Sequence, residues 1–216
     1  MAGHSLAGLL SALGVTLERE MLERLEWLGR ELLRWNRTHN LTAITDLDEV
    51  HEKHLADSLT LLPLLGNAHR LLDLGSGAGF PALPLKIACP GLEVVSVDAV
   101  GKKVAFQRHV ARTLKLAGFM AVHGRAEDLS GHPCCPPGFE VITARALGSL
   151  PLLTRLAVPC LAPGGRLIAM KGADGLRELA DSAEQLAAAG WTARSRELSL
   201  PQTGAGRCLI TLQRNI

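Results

Sequence analysis

Residues 70–80 read Arg70-Leu71-Leu72-Asp73-Leu74-Gly75-Ser76-Gly77-Ala78-Gly79-Phe80. An apolar run interrupted only by Asp73 suits a strand buried on both faces, as in a parallel sheet. Glycines then alternate at 75, 77 and 79, where the chain must bend sharply and leave backbone N–H groups bare for a ligand. The next stretch, PALPLKIA over 81–88, reads as a helix, with Pro81 and Pro84 near its first turn. Strand, glycine loop and helix together make a nucleotide-type cofactor site. The dinucleotide fingerprint is excluded, because its third glycine would stand where Phe80 is.

Outward from this loop, residues 93–98 (EVVSVD) form a second strand that ends in Asp98. That acid lies 23 positions after Gly75 (98 minus 75), close to the ~20-residue offset at which a carboxylate meets cofactor ribose hydroxyls. A helix follows over 102–117, then a strand at 119–122, a loop at 131–138, and a strand at 140–145 ending in Arg145. Further elements are a helix at 150–161, an Ala162–Gly165 turn, a strand at 166–170 and a helix from 176 to about 189. The last two strands, 192–200 and 207–213, are joined by a loop too short for a parallel crossover and should pair antiparallel. The alternation predicts an α/β, Rossmann-like fold: a seven-stranded, mostly parallel sheet with one antiparallel strand and helices on both faces. Ligands of such sheets bind beyond the C-terminal ends of the strands, here strands one and two, where the strand order switches. G-x-G-x-G on this plan with a closing antiparallel strand is the form seen in S-adenosylmethionine (SAM) methyltransferases.

Upstream, residues 1–65 are read as an N-terminal helical extension and 66–216 as the cofactor-binding domain. Residues 1–15 carry no strong pattern. Met21, Leu25, Leu28, Leu32 and Trp35 form one apolar stripe of a helix over 16–37. A second helix starts at Asp46 or Asp48, either of which can cap it, and runs to about Leu62. His51-Glu52-Lys53-His54 is not the H-E-x-x-H zinc motif, since its histidines are three apart and not four. It reads as a solvated helix face, and no metal is expected.

With 216 residues, 20% charged, a net charge of +2 and five cysteines lacking any CxxC, the chain reads as a cytoplasmic protein with reduced thiols. No apolar run approaches the ~18 residues of a membrane span, and the first fifteen residues lack the basic start of a signal peptide. Neither a membrane partner nor a strongly basic, histone-like mode of binding is expected. The residues themselves leave open a small-molecule SAM methyltransferase or a non-catalytic SAM-binding module.

Taken together, WNRTHNLTAI, KHLADSL, LLDLGSGAGFPALPLKI, GRAEDL, ITARALGSL and PGGRLIAMKG, spanning roughly 32–172, resemble the RsmG (GidB) family of bacterial methyltransferases. The resemblance implies SAM as methyl donor and N7 of one guanine in 16S ribosomal RNA as acceptor, in naked RNA or the small ribosomal subunit, by a monomer. It places Gly75 and Phe80 at the amino-acid end of SAM and adjacent backbone, Asp98 at the ribose, Ala126 and Glu127 at the adenine side, and Arg145 at the border of cofactor and target, with Gly77 and Gly79 of the same loop as further cofactor-binding candidates. Ala99 stands where the family often has a hydroxyl residue. Arg34, Arg37, Asn40, His54, Arg145 and Lys171 become candidate substrate contacts, with His39, Lys53, Lys102 and Lys103 as further candidates for phosphate. Guanine N7 carries no proton, so no general base is expected and catalysis should be mainly positioning. The Asn-Pro-Pro-aromatic motif of exocyclic-amine methyltransferases and a Pro-Cys nucleophile at the end of strand four are both missing, as N7 chemistry allows.

Overall fold

The computed structural model describes residues 5–129, 133 and 136–214; the Cys134–Cys135 pair and residues 131 and 132 of the 131–138 loop lie outside the described residues. The strands are β1 (Arg70–Leu74), β2 (Glu93–Asp98), β3 (Phe119–His123), β4 (Phe139–Arg145), β5 (Leu161–Gly172), β6 (Trp191–Ser199) and β7 (Gly206–Arg214). They form one sheet in the order β3-β2-β1-β4-β5-β7-β6. β1 to β5 pair parallel, and β7 enters antiparallel between β5 and β6. The expected hairpin and single reversed strand are therefore present. The Ala162–Gly165 turn is absorbed into β5, as a register shift between the Phe139–Leu161 and Val141–Arg166 pairs.

Side chains alternate across β1 and thereby divide the core. Leu71 faces one apolar cluster, with Phe106 and Val110 of α7 (Gly101–Thr113), whereas Leu72 and Leu74 face another beneath α8 (Leu150–Ala157) and α9 (Gly175–Ala188). The first cluster also takes in the N-terminal helices: α1 (Leu6–Ala12), α2 (Arg19–His39), α3 (Leu47–Val50), a π-helical segment at His51–Ala56, α4 (Asp57–Leu59) and α5 (Leu62–Leu65). The α2 stripe is core, as its spacing predicts: Leu25, Leu28 and Leu32 are wholly buried, and Trp35 meets Phe106 edge-on at 5.6 Å.

Two expectations are corrected here. Residues 5–15 are a folded element: Ser5 caps α1 by accepting from the Gly8 N–H, and Leu6, Leu9 and Leu10 are each 1% exposed. Removing them would forgo the burial of three side chains worth about 1.5–3 kcal/mol apiece. Nor is His51–His54 a solvated face. His51 and Glu52 are buried, and the Glu52 carboxylate accepts from the N–H groups of Gln202 (2.5 Å) and Thr203 (2.9 Å) in the β6–β7 turn. The helix does start at Asp46, whose side chain accepts from the Glu49 N–H. Five residues later, at His51, it widens to π geometry, a feature of local strain often found at functional sites. Among the described residues no helix is long and apolar enough to cross a membrane.

Candidate active site

A cleft of about 240 Å³ opens at the C-terminal ends of β2, β1 and β4, and is lined by Gly75, Ser76, Gly77, Phe80, Asp98 and Arg145, among others. One wall is the glycine loop between β1 and α6 (Ala82–Ala88). Gly79 has φ 96°, and a Cβ there would lie 2.5 Å from Leu83 Cδ1, so the loop packs on its helix too closely for any side chain. Gly77 is different. With φ 60°, its Cβ position meets only Lys103 Nζ, at 4.0 Å, and faces the cleft. Gly75 also lines the cleft, and Leu147 packs behind it.

Four N–H groups of this loop, those of residues 76, 77, 79 and 80, are not bare, contrary to the sequence reading. Ser76 donates to Val97 O (3.0 Å), Gly77 to Asp98 Oδ2 (2.7 Å), and both Gly79 and Phe80 to Ser76 O (2.9 Å each). Behind them Gln107 donates to Gly77 O at 2.7 Å and to Ser76 Oγ at 2.9 Å, while Ser96 bonds both Ser76 and Gln107. Asp98 is held by two backbone donors, Gly77 and Val100, one on each oxygen. Each oxygen keeps a lone pair for a ligand. Beneath the loop, Asp73 is fully buried, accepting from Thr143 Oγ1 (2.9 Å) and the Ala82 N–H (3.3 Å). Burial pushes its carboxyl up to about 7, against the opposing pull of that Thr143 bond and of Arg145.

The other wall comes from the helical layer. Arg145 Nη1 donates to Lys53 O (3.1 Å) and Nη2 to His54 Nδ1 (3.3 Å). His54 therefore carries its proton on Nε2, which donates to Thr42 Oγ1 at 3.0 Å. Burial, reinforced by the Arg145 charge, pushes His54 down to about 3, so its ring is neutral at ordinary pH. It stacks on Phe80 with centroids 4.8 Å apart. Behind this layer Asp57 lies between two guanidiniums: Arg207 Nε at 2.9 Å and Arg145 Nη1 at 3.6 Å. Arg145 is thus both a cleft residue and a member of a buried ion cluster.

The structure brings together Gly75, Gly77, Phe80, Asp98, His54 and Arg145, with Gly79 directly behind. Lys103 also lines the cleft. Ala126 and Glu127 sit in the turn after β3, outside the lining, Ala126 half-buried and Glu127 exposed. Lys171 is misplaced by the sequence reading. It follows Met170, which pairs with Arg145, so strand alternation turns it to the opposite face, where it holds Glu178 (2.9 Å) and Gly148 O (2.6 Å). Arg34 is tied to Glu31, which also meets His109 Nε2 at 2.6 Å and Trp35 Nε1 at 3.1 Å. Burial raises the Glu31 carboxyl, but Arg34 and His109 hold it below the usual range. Arg37 and Asn40 are exposed at the end of α2, where Asn40 takes the left-handed conformation that stops the helix. His39 lies tilted against Trp35, Lys53 pairs with Glu49, and Lys102 is exposed at the start of α7. Leu41, Thr42, Ala78 and Ala146 complete the lining without a chemical signature of their own in the sequence.

Residues 21–203 match the family model described as rRNA small subunit methyltransferase G. A "Ribosomal RNA small subunit methyltransferase G" from Syntrophotalea carbinolica is 51% identical over 212 residues, covering 98% of this chain and 97% of that protein. One from Myxococcus xanthus is 52% identical over 163 residues, 74% of each. Among solved structures, the fold is similar to an O-methyltransferase from Bacillus cereus in complex with SAH (TM-score 0.64, 15% identity, 98% of both chains). It is also similar to a putative O-methyltransferase from Klebsiella pneumoniae (TM-score 0.62, 17% identity, 96% and 94% covered). At those identities the structural likeness concerns the fold. Sequence identity across nearly the whole chain carries the assignment: the chain belongs to the rRNA small subunit methyltransferase G family.

Proposed function

We propose that this chain transfers a methyl group from SAM to N7 of one guanine in 16S ribosomal RNA, by positioning and without a general base. The observation that carries the reading is the composition of the cleft in a chain of this family. One wall offers a fixed carboxylate, Asp98, and the other a cation, Arg145, beside an uncharged imidazole, His54.

The residues fit SAM. The open Gly77 position leaves room beside the loop, and the free lone pairs of Asp98 suit vicinal ribose hydroxyls. The internally satisfied N–H groups at 76, 77, 79 and 80 suit a ligand without a phosphate. Gly75, Gly77 and Phe80 would border the amino-acid end, with Gly79 setting the loop. Ala126 and Glu127, beyond the β3 end that pairs His123 with Asp98, would reach the adenine side.

SAM supplies an electrophilic sulfonium methyl that requires only an in-line lone pair. Guanine N7 presents one in the ring plane and has no proton to lose. The chain then has to orient and dehydrate the base. The Phe80–His54 stack is a flat wall, held neutral by burial, and Arg145 is fixed by its bonds to Lys53 O, His54 and Asp57. Neither side chain is a competent base at neutral pH: His54 titrates near 3, and the guanidinium stays protonated. Asp73, with a carboxyl near 7, lies beneath the loop and outside the lining. Rate enhancement then rests on effective concentration.

The test is to map N7-methylguanine in 16S RNA from a strain lacking this gene. Loss at one position, restored by the wild-type gene but not by Gly77→Val, is the expected result. An unchanged methylation pattern would overturn the proposal.

A further inference from the structure

We infer that the exposed face of β6, through Arg194 and Arg196, is a second contact surface for the RNA phosphate backbone, outboard of the cleft. The inference rests on the function proposed above and adds where its substrate is gripped.

Arg145, Met170, Leu209 and Arg196 stand in one lateral row across β4, β5, β7 and β6. Residues in such a row point to the same face, so Arg196 shares the face of the cleft arginine, three strands out, or about 14 Å at the usual strand spacing. Arg207, Arg166 and Arg194 lie on that face too, by the same alternation. The first two are taken up internally: Arg207 holds Asp57, and Arg166 donates to Leu64 O (2.9 Å) and to Leu65 O. Arg194 and Arg196 are exposed, and among the described residues neither makes an ion pair or a side-chain hydrogen bond. Residues of α1 and α5 border them but leave both side chains exposed.

They border two adjoining grooves. One, of about 380 Å³, runs past Pro63, Gly66, Arg166 and Gln213; the other, of about 200 Å³, past Leu13, Thr60 and Leu198, and Arg196 and Pro63 line both. No carboxylate lines either groove. The nearest acid along the strand, Glu197, alternates to the other face, opposite Cys208. In a chain whose net charge is only +2, two unpaired guanidiniums beside a third, in grooves free of acids, are a local concentration of positive charge. The planar fork of arginine matches phosphate geometry. An acidic protein surface would be met by the same charge, but RNA is the partner that the row shared with Arg145 favours.

A competing role is protection of the β6 edge, since charged side chains on edge strands hinder sheet-to-sheet association. Charge reversal separates the two, because R194E/R196E keeps the edge charged while repelling phosphate. R194E/R196E should weaken binding to 16S RNA at least tenfold. It should also lower the slope of log affinity against log salt by about 1.4–1.8, for two phosphate contacts. SAM affinity, and turnover at saturating RNA, should stay as in the wild type, and R194K/R196K should retain most of the RNA affinity. RNA affinity and salt slope equal to wild type would overturn the inference and leave an edge-protecting strip. Weaker binding to small-subunit particles with unchanged binding to naked 16S RNA would also overturn it, in favour of a ribosomal protein. A wild-type protein that neither binds nor methylates ribosomal RNA would fell the function proposed above, and this surface with it.

Discussion

The two walls of the cleft are built from opposite kinds of contact. On the β1–β2 side the partners are near in sequence: Gly77 and Asp98 are 21 positions apart, and Gln107 and Ser76 are 31 apart. On the Arg145 side they are remote: Arg145 and Lys53 are separated by 92 positions, Arg207 and Asp57 by 150. The near wall is mainly neutral hydrogen bonds within one strand–loop–helix unit. The far wall is a buried ion cluster that exists only when the helical layer, β4 and β7 are all in place. A buried charge that loses its partner costs far more than a neutral bond, so the far wall should be the more sensitive to single changes.

The largest expected effect is on that side. Asp57→Ala leaves Arg145 and Arg207 without their shared carboxylate and should cost about 3–5 kcal/mol of unfolding free energy, read from denaturant midpoints. On the near wall, Gln107→Ala removes neutral hydrogen bonds to Ser76 and Gly77 and should cost less, about 1–3 kcal/mol. The reverse order would break the contrast.

Next come opposite responses to pH. Asp73 is raised to about 7, so its contribution to stability is full below the unfolded carboxylate value of about 4 and is lost as pH rises to about 7. His54 is lowered to about 3, so its contribution is full above about 6.5 and is lost as pH falls towards 3. Between about pH 4 and 6.5 the two should largely offset one another, each on the order of 2–4 kcal/mol. Asp73→Asn should leave a protein that gains stability with rising pH across this window, and His54→Gln one that loses it. Parallel pH profiles in the two variants would show that the walls are not electrostatically distinct.

Smaller is the effect of Asp98→Ala, expected to weaken SAM binding by about 1–3 kcal/mol through loss of charged hydrogen bonds. Calorimetry giving wild-type affinity would put the cofactor elsewhere. The smallest change in stability is expected for Arg145→Lys, about 1 kcal/mol, because Asp57 keeps Arg207. Methyl transfer should nonetheless fall at least tenfold, since an ammonium cannot hold Lys53 O, His54 and Asp57 together. Full activity at subsaturating SAM and RNA would mean that the planar fork has no part in the site.

Legibility in the sequence follows the same division. Gly75, Gly77, Phe80 and Asp98 were readable because their spacing along a βαβ unit leaves little freedom in where they end up. His54 and Arg145 could be named as candidates, but not their mutual bonds. Lys171 shows the limit: one residue of strand register separates it from the cleft face, and a sequence pattern blurred at the Ala162–Gly165 irregularity does not reveal which face is which. His51 and Glu52 look like surface residues by type. Glu52 is buried under the β6–β7 turn, where it finds backbone donors 150 and 151 positions away, and His51 is buried beside Gly29 of α2.

By itself the sequence determined the alternation of strands and helices, the glycine loop, the acid at the ribose offset and the reversed closing strand. Each depends on periodicity or backbone freedom over a few residues, and such short-range constraints are written locally. Tertiary structure alone decided that the N–H groups at 76, 77, 79 and 80 are satisfied internally, that residues 5–15 pack into the core through Leu6, Leu9, Leu10 and Val15, and that Arg145 is anchored through Asp57 to Arg207. Those outcomes depend on which groups lose water together when distant segments meet, and burial and pairing of that kind have no local pattern in the chain.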